Sequence, residues 1–291
     1  MTQRRPHLLG ASGLPWILPA VAVLLALSIY PLIYAVKVSL TGPGGAFTFA
    51  NFARLAGDRV FAAAGVQTLV LTIAALIIEF TLGLALALLI DSLARAKSFF
   101  RAGLLIPMLL PPVVAAVAWR LIFNPQFGVL NGTLRELGLN TASLLWTGGD
   151  RSALASVILV DVWEWTPFLF LLLSAGLQAI PPEPVEAARI DGAGAWQIFR
   201  DVTLPLLRPV ILLALLLRAM DLVRIFDQIF ILTQGGPGTA TETVSLYIYR
   251  TAFRFSNFGY AAAMSFVLLA ATMVFARGLA QIMRPRTAGV R

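Results

Sequence analysis

The stretch EAARIDGAGAWQIFRDVTLPLLRP, Glu186 to Pro209, lies between two long apolar blocks and alternates charges, small residues and large apolar side chains. A connection with no task beyond joining two membrane spans needs only a few polar residues. Pro181, Pro182 and Pro184 ahead of it suit a helix start, because the first turn leaves their missing donor unpaired anyway. Glu183 and Glu186 complement the positive end of that helix dipole. Asp191-Gly192 then breaks the helix, glycine accepting a positive φ or a close backbone approach. A second short helix is expected from about Ala195 to Asp201, burying Trp196 and Phe199 on one face. Leu204-Pro205 is expected to end it, and Pro209 to open the next span. Two short amphipathic helices around a glycine elbow make a compact knob. Such a knob either lies on lipid headgroups or offers a docking surface to another protein. The residues alone leave both open.

Composition sets the frame. Of 291 residues, 59% are hydrophobic and 12% charged, with mean hydropathy +0.85. A soluble domain carries about a quarter charged residues. The apolar excess falls in blocks of the ~20 residues that a spanning helix needs. The fold class is therefore all-α, a polytopic membrane protein. The formal charge of +8 sits mostly at the ends of apolar blocks, the pattern of membrane topology rather than of nucleic-acid binding. No cysteine is present, so disulfides and thiolate metal sites are excluded, and no metal site is expected. The single histidine, His7, lies in the N-terminal tail, so histidine catalysis inside the membrane is excluded.

Six transmembrane helices are expected. The first runs from 14 to 40, too long for a cleaved signal segment, with Pro19 and Pro31 inside it. The others run roughly Gly65–Ile90, Arg101–Phe123, Ala153–Leu177, Pro209–Leu232 and Phe258–Met283. Residues 1–13 and 284–291 are the two tails. One set of connections holds Arg4, Arg5, Arg95, Lys97, Arg101, Arg189, Arg200, Arg208, Arg284, Arg286 and Arg291. The other set is poorer: Lys37, Arg54, Arg59, Arg135, Arg151, Arg250 and Arg254. The richer side is cytoplasmic by the positive-inside rule. Both termini and the quoted segment are then inside. No internal duplication of the kind found in inverted-repeat secondary transporters is visible.

The segment 181–208 resembles the EAA loop of permease subunits of binding-protein-dependent ABC importers, a pattern of Glu-Ala-Ala, a glycine and a later apolar-Leu-Pro. Glu186, Ala187, Ala188, Asp191, Gly192, Ala193, Phe199, Leu204 and Pro205 carry the match. Thr203 departs from it, standing where the family often has an apolar residue. The resemblance implies that the loop fits a cleft on an ATPase subunit and carries its motion to the membrane helices. A negative observation agrees. The only lysines, Lys37 and Lys97, follow valine and alanine, so no Gly-Lys-Ser/Thr phosphate loop exists. ATP with Mg would be used by a partner subunit, and this chain binds no cofactor.

LTQGGPGTATETVSLYIYRTAF, Leu232 to Phe253, reads by itself as a turn-rich reversal followed by an amphipathic segment. It resembles the Leu-Thr-x-Gly-Gly-Pro signature of carbohydrate-type permeases, the maltose and glycerol-phosphate kind. NPQFGVLNGTLRELGLNTASLLW, Asn124 to Trp146, is similar to that family's Gly-x-x-Asn…Leu-Gly pattern. The first external loop, about Thr41 to Ala64, is short, so the extra external domain of some maltose-type permeases is absent. The resemblance implies a type I importer permease with a core over 65–283. It further implies a bacterial or archaeal cytoplasmic membrane and, as partners, an ATPase subunit dimer, a paralogous second permease and an extracytoplasmic solute-binding protein.

Ionisable groups in lipid cost ~2.5–3.5 kcal/mol each on insertion scales and default to functional hypotheses. Arg218, Asp221, Arg224 and Asp227 follow one another at steps of three. An internal charge ladder is expected for Arg218 and Asp227, whereas Asp221, Arg224 and Gln228 share a face that could reach a polar cavity. Asp161, Glu164 and Trp165 share another, with Trp163 opposite. A carboxylate beside an indole suits a sugar, and equally could pair with arginines of the next span. Glu79 and Arg120 read as interhelical partners or as residues near helix ends. An ion-coupled secondary transporter using Glu79, Asp161, Glu164 or Asp221, and an intramembrane enzyme using Asp161 and Glu164, are the rival readings. A glycerol phosphodiester or other polyol is the rival cargo. Covalent chemistry is not expected.

Overall fold

A computed structural model describes residues 14–92, 97–139 and 145–283, and both tails, Arg95 and part of the Asn124–Trp146 loop lie outside them. The described residues are helical apart from turns and one isolated bridge between Thr41 and Phe47. The helices are α1 Leu14–Ser39, α2 Ala50–Ala56, α3 Arg59–Ser92, α4 Lys97–Leu105, α5 Pro112–Ile122, α6 Val129–Glu136 and α7 Asp150–Gln178. They continue as α8 Pro182–Ile190, α9 Ala195–Ile198, α10 Leu204–Leu222, α11 Asp227–Leu232, α12 Val244–Tyr249 and α13 Phe258–Met283.

Among the described residues, five helices are long and apolar enough to cross a bilayer: Trp16–Ser39, Arg59–Asp91, Asp150–Gln178, Ala195–Leu222 and Phe258–Gly278. The expected sixth, Arg101–Phe123, is not one long helix. It is divided into α4, a 3₁₀ turn at Pro107–Leu109 and α5. The residue before a proline is pushed out of the α region. Leu110 and Pro111 accordingly take ψ of 137° and 138°. The fifth span also differs from expectation. Leu204-Pro205 does not end the short helix, since one helix runs unbroken from Ala195 to Leu222. A π-helical turn at Phe199–Thr203 joins α9 to α10. It places Pro205 at the start of a new α register, where a missing donor is tolerated. The break falls instead at Val223–Phe226, ahead of α11.

The described residues form two compact units, one within 14–58 and 248–267, the other within 59–247 and 268–283. In the first, Arg54 lies 4.3 Å over the ring of Tyr260, whose hydroxyl donates to Asp58. Asn51 Nδ2 donates to the Ser39 carbonyl at 2.8 Å. In the second, α7 is the central element, packed against α3, α10, α5 and α11. Ala87, Ile90, Leu169, Phe170, Leu173, Leu207 and Ala214 form a buried cluster among α3, α7 and α10. The α3–α7 crossing is close: a Cβ on Gly83 would stand 3.0 Å from the Leu169 Cβ and 3.1 Å from the Phe170 nitrogen. Small residues permit such backbone approach between membrane helices.

Candidate functional site

The elbow between α8 and α9 is built by backbone hydrogen bonds. α8 starts on Pro182 and ends in a Schellman closure. Gly192 N–H bonds the Arg189 carbonyl at 3.1 Å, and Ala193 N–H the Ala188 carbonyl at 3.0 Å. Gly192 has φ +82°, and nothing lies within 4 Å of where its Cβ would be. Conformation, not space, requires glycine here. Gln197 Oε1 accepts from Gly194 N–H at 2.8 Å and closes the first turn of α9.

Of the nine residues of the expected coupling motif, Glu186, Ala187, Asp191, Gly192 and Pro205 are exposed, and Ala188, Ala193, Phe199 and Leu204 are half-buried. Ala188, Asp191, Gly192, Ala193, Gln197, Ile198, Asp201 and Val202 line a groove of about 360 Å³ between the two helices. Trp196 and Phe199 do stack, with ring centroids 5.6 Å apart. Trp196 is not buried as expected, however. It is 68% exposed, and Ile190 is 86% exposed. Both side chains face largely away from the described residues.

The second candidate set surrounds Arg218 of α10, which is 2% exposed. Its guanidinium donates to Glu79 of α3, from Nε at 2.8 Å and from Nη2 at 2.9 Å. Nη2 also bonds Asp161 of α7, and Nη1 bonds Asp221 at 3.0 Å. The guanidinium carbon lies 4.9 Å from the Trp165 ring centroid. One cation thus joins three helices, as the rigid fork of arginine allows. One turn along α7, Glu164 accepts from Gln228 Nε2 of α11 at 2.7 Å.

The six residues expected to line a cavity therefore divide. Asp161, Glu164 and Gln228 are buried, Trp165 is half-buried, and Asp221 and Arg224 are exposed. Arg224 Nε donates to the Met220 carbonyl at 3.1 Å. The expected ladder along α10 reduces to the Arg218–Asp221 pair, and Asp227 is exposed. Of the two uses open to Asp161, the structure shows pairing with an arginine of the next span, and Glu79 is an interhelical partner of the same Arg218; what the sequence did not reveal is that one guanidinium serves both. Arg120 reaches the Ile231 carbonyl at 3.2 Å. No group of three metal-ligating side chains occurs among the described residues.

Residues 79–289 match the family described as binding-protein-dependent transport system inner membrane component. The chain belongs to that family. It is a multi-pass inner-membrane permease of an ABC importer and not an enzyme, which sets aside the secondary-transporter and intramembrane-enzyme readings. The importer complex includes a binding protein and an ATPase. The chain is 36% identical over 269 residues to the trehalose/maltose transport system permease protein MalF of Thermococcus litoralis, covering 90% of each. It is 33% identical over 275 residues to the sulfoquinovosyl glycerol transport system permease protein SmoG of Agrobacterium fabrum, covering 92% of this chain and 89% of that one. The fold resembles a chain in the crystal structure of a bacterial ABC transporter involved in the import of the acidic polysaccharide alginate. The TM-score is 0.83 at 23% identity, over 94% of this permease and 95% of that chain.

Proposed function

We propose that this permease moves a sugar or related polyhydroxylated solute across the cytoplasmic membrane, driven by ATP hydrolysis in a separate subunit pair. The observation that carries the cargo class is its similarity, along about nine-tenths of both chains, to permeases named for trehalose/maltose and for sulfoquinovosyl glycerol. The second name keeps a glycerol-linked polyol as the alternative cargo.

The mechanism follows from the elbow. Glu186, Ala187, Ala188, Asp191, Gly192, Ala193, Phe199, Leu204 and Pro205 form the surface that an ATPase subunit grips, with exposed Trp196 and Ile190 supplying apolar contact. The helix from Ala195 to Leu222 leads from that surface to Arg218, and Arg218 holds α3 and α7. Closure of the ATPase pair on ATP-Mg displaces the elbow, and the membrane helices exchange outward- and inward-facing states. The two nucleotide states supply the differential binding that such an exchange requires. A solute-binding protein delivers cargo from outside, and a paralogous second permease completes the pathway. Six spans and two cytoplasmic termini fit this arrangement, the sixth span being α4 and α5 with their proline break. Exposed Asp221 and Arg224 and half-buried Trp165 offer cargo polar groups and an aromatic edge.

The experiment is purification of the intact complex with its binding protein, followed by identification of the ligand that protein carries and uptake of it into vesicles loaded with ATP. A sugar or polyol taken up only with ATP supports the reading. An amino acid, peptide or metal ion as ligand overturns the cargo class.

A further inference from the structure

The hydrogen bonding of Glu164 with Gln228 is half complete if Glu164 is a carboxylate and complete if it is an acid. Gln228 Nε2 donates to Glu164 Oε2 at 2.7 Å. Both residues are buried, and the two remaining atoms, Glu164 Oε1 and Gln228 Oε1, have no donor among the described residues. Two acceptors cannot satisfy each other. Leaving a buried polar atom unpaired is unfavourable, and an ionised carboxylate opposite a neutral amide also lacks a counter-charge. One hydrogen on Glu164 Oε1 changes this. An O–H there gives the pair the donor it lacks, and the orphaned Gln228 amide oxygen is an acceptor on the residue already bonded to Glu164.

Two carboxylates and one cation stand near the pair. Asp161 lies one turn away on α7, Asp227 adjoins Gln228 on α11, and Arg218 of α10 is the cation among the electrostatic neighbours. That cation is already bonded to Glu79 of α3, to Asp161 and to Asp221. On the other elements packed against α7, Arg101 of α4 reaches Ser174, and Arg120 of α5 reaches the Ile231 carbonyl. No described arginine or lysine forms an ion pair with Glu164.

We propose that Glu164 binds a proton and works as a neutral carboxylic acid, doubly hydrogen-bonded to the Gln228 amide. The pair fastens α11 to α7 beyond the break at Val223–Phe226 while adding no charge to the interior. The proton is a resident part of the site and is not carried with the cargo.

The test is infrared spectroscopy of the purified complete transporter in lipid, read at the carbonyl band of protonated carboxyl groups. The band is expected in the wild type, lost in Glu164→Gln and moved to higher wavenumber in Gln228→Leu, where the acid loses its amide acceptor. Glutamine at 164 reproduces both hydrogen bonds, so the assembled Glu164→Gln complex is expected to retain ATP-driven uptake. Absence of the band in the wild type, its persistence in Glu164→Gln, or its indifference to Gln228→Leu overturns the proposal. So does loss of uptake in an assembled Glu164→Gln complex, or uptake and stability that depend on sodium at this residue. The spectrum does not depend on which solute is carried, so its outcome is separate from that of the cargo class.

Discussion

Arg218 and Glu79, 139 residues apart in the chain, meet as a two-bonded fork at 2.8 and 2.9 Å in a site closed to solvent. The pair joins α10 to α3, and the same guanidinium takes Asp161 of α7. Removing one partner of a buried ion pair leaves the others uncompensated, at a cost of about 3–5 kcal/mol. Arg218→Met should therefore lower the unfolding midpoint of the purified permease sharply. Arg218→Lys should recover only part of it, because an ammonium cannot bond two carboxylates in the plane of a fork. Unfolding monitored in detergent by circular dichroism checks both.

Gly192→Val should impair coupling without preventing insertion. At φ +82° a β-branched residue is strained by about 1–3 kcal/mol, although its side chain meets open space. Uptake is expected to fall while the amount of membrane-inserted chain, measured by fractionation, stays the same. Gly192→Asn, which tolerates the left-handed region better, should fall less.

Trp196→Asp should weaken capture of the ATPase subunit and leave the isolated permease as stable as before. The side chain contributes little burial within this chain, being 68% exposed. Co-purification of the ATPase and thermal unfolding of the permease separate the two effects. Equal loss in both would mean that Trp196 serves the fold.

Gly83→Leu should push α3 from α7. A Cβ there already stands 3.0 Å from Leu169 Cβ and 3.1 Å from the Phe170 backbone nitrogen, which cannot swing aside. Overpacking of this kind costs typically about 1–3 kcal/mol. The unfolding midpoint of the variant measures it.

Asp221 and Asp161 bond the same guanidinium but differ in exposure, and their amides should behave differently. Asp221 has 52% of its side chain exposed; if it meets cargo as proposed, Asp221→Asn should raise the solute concentration needed for half-maximal uptake while the fold persists. Asp161→Asn removes a buried charge and should act on stability. Concentration dependence of uptake and thermal unfolding distinguish the two.

Much of this architecture was legible as local chemistry. The apolar block Phe258–Met283 is one helix with those ends, and the glycine elbow is visible from Asp191-Gly192 because a positive φ selects its residue. Other features depend on what lies beyond the local segment. Pro205 reads as a terminator, but a π-turn absorbs it, and hydrogen-bond register within a helix leaves little trace in composition. Pro107, Pro111 and Pro112 were visible, yet length and hydropathy carried the reading of a single span across them. Trp196 reads as buried from its spacing with Phe199, since an amphipathic face does not say whether its cover comes from the same chain. Asp161 and Glu79 read as candidates for pairing across helices, but that both meet Arg218 has no local spacing to reveal it, since Glu79 lies 139 residues away.

The unbroken helix from Ala195 to Leu222 has 28 residues, which at ~1.5 Å per residue makes a rod about 42 Å long. Its length exceeds the ~30 Å of hydrocarbon in a bilayer. A tilt of a few degrees imposed at one end therefore displaces the other by several ångströms. A push on the elbow, as proposed, would meet no helical break along this length, only the change of register at Phe199–Thr203.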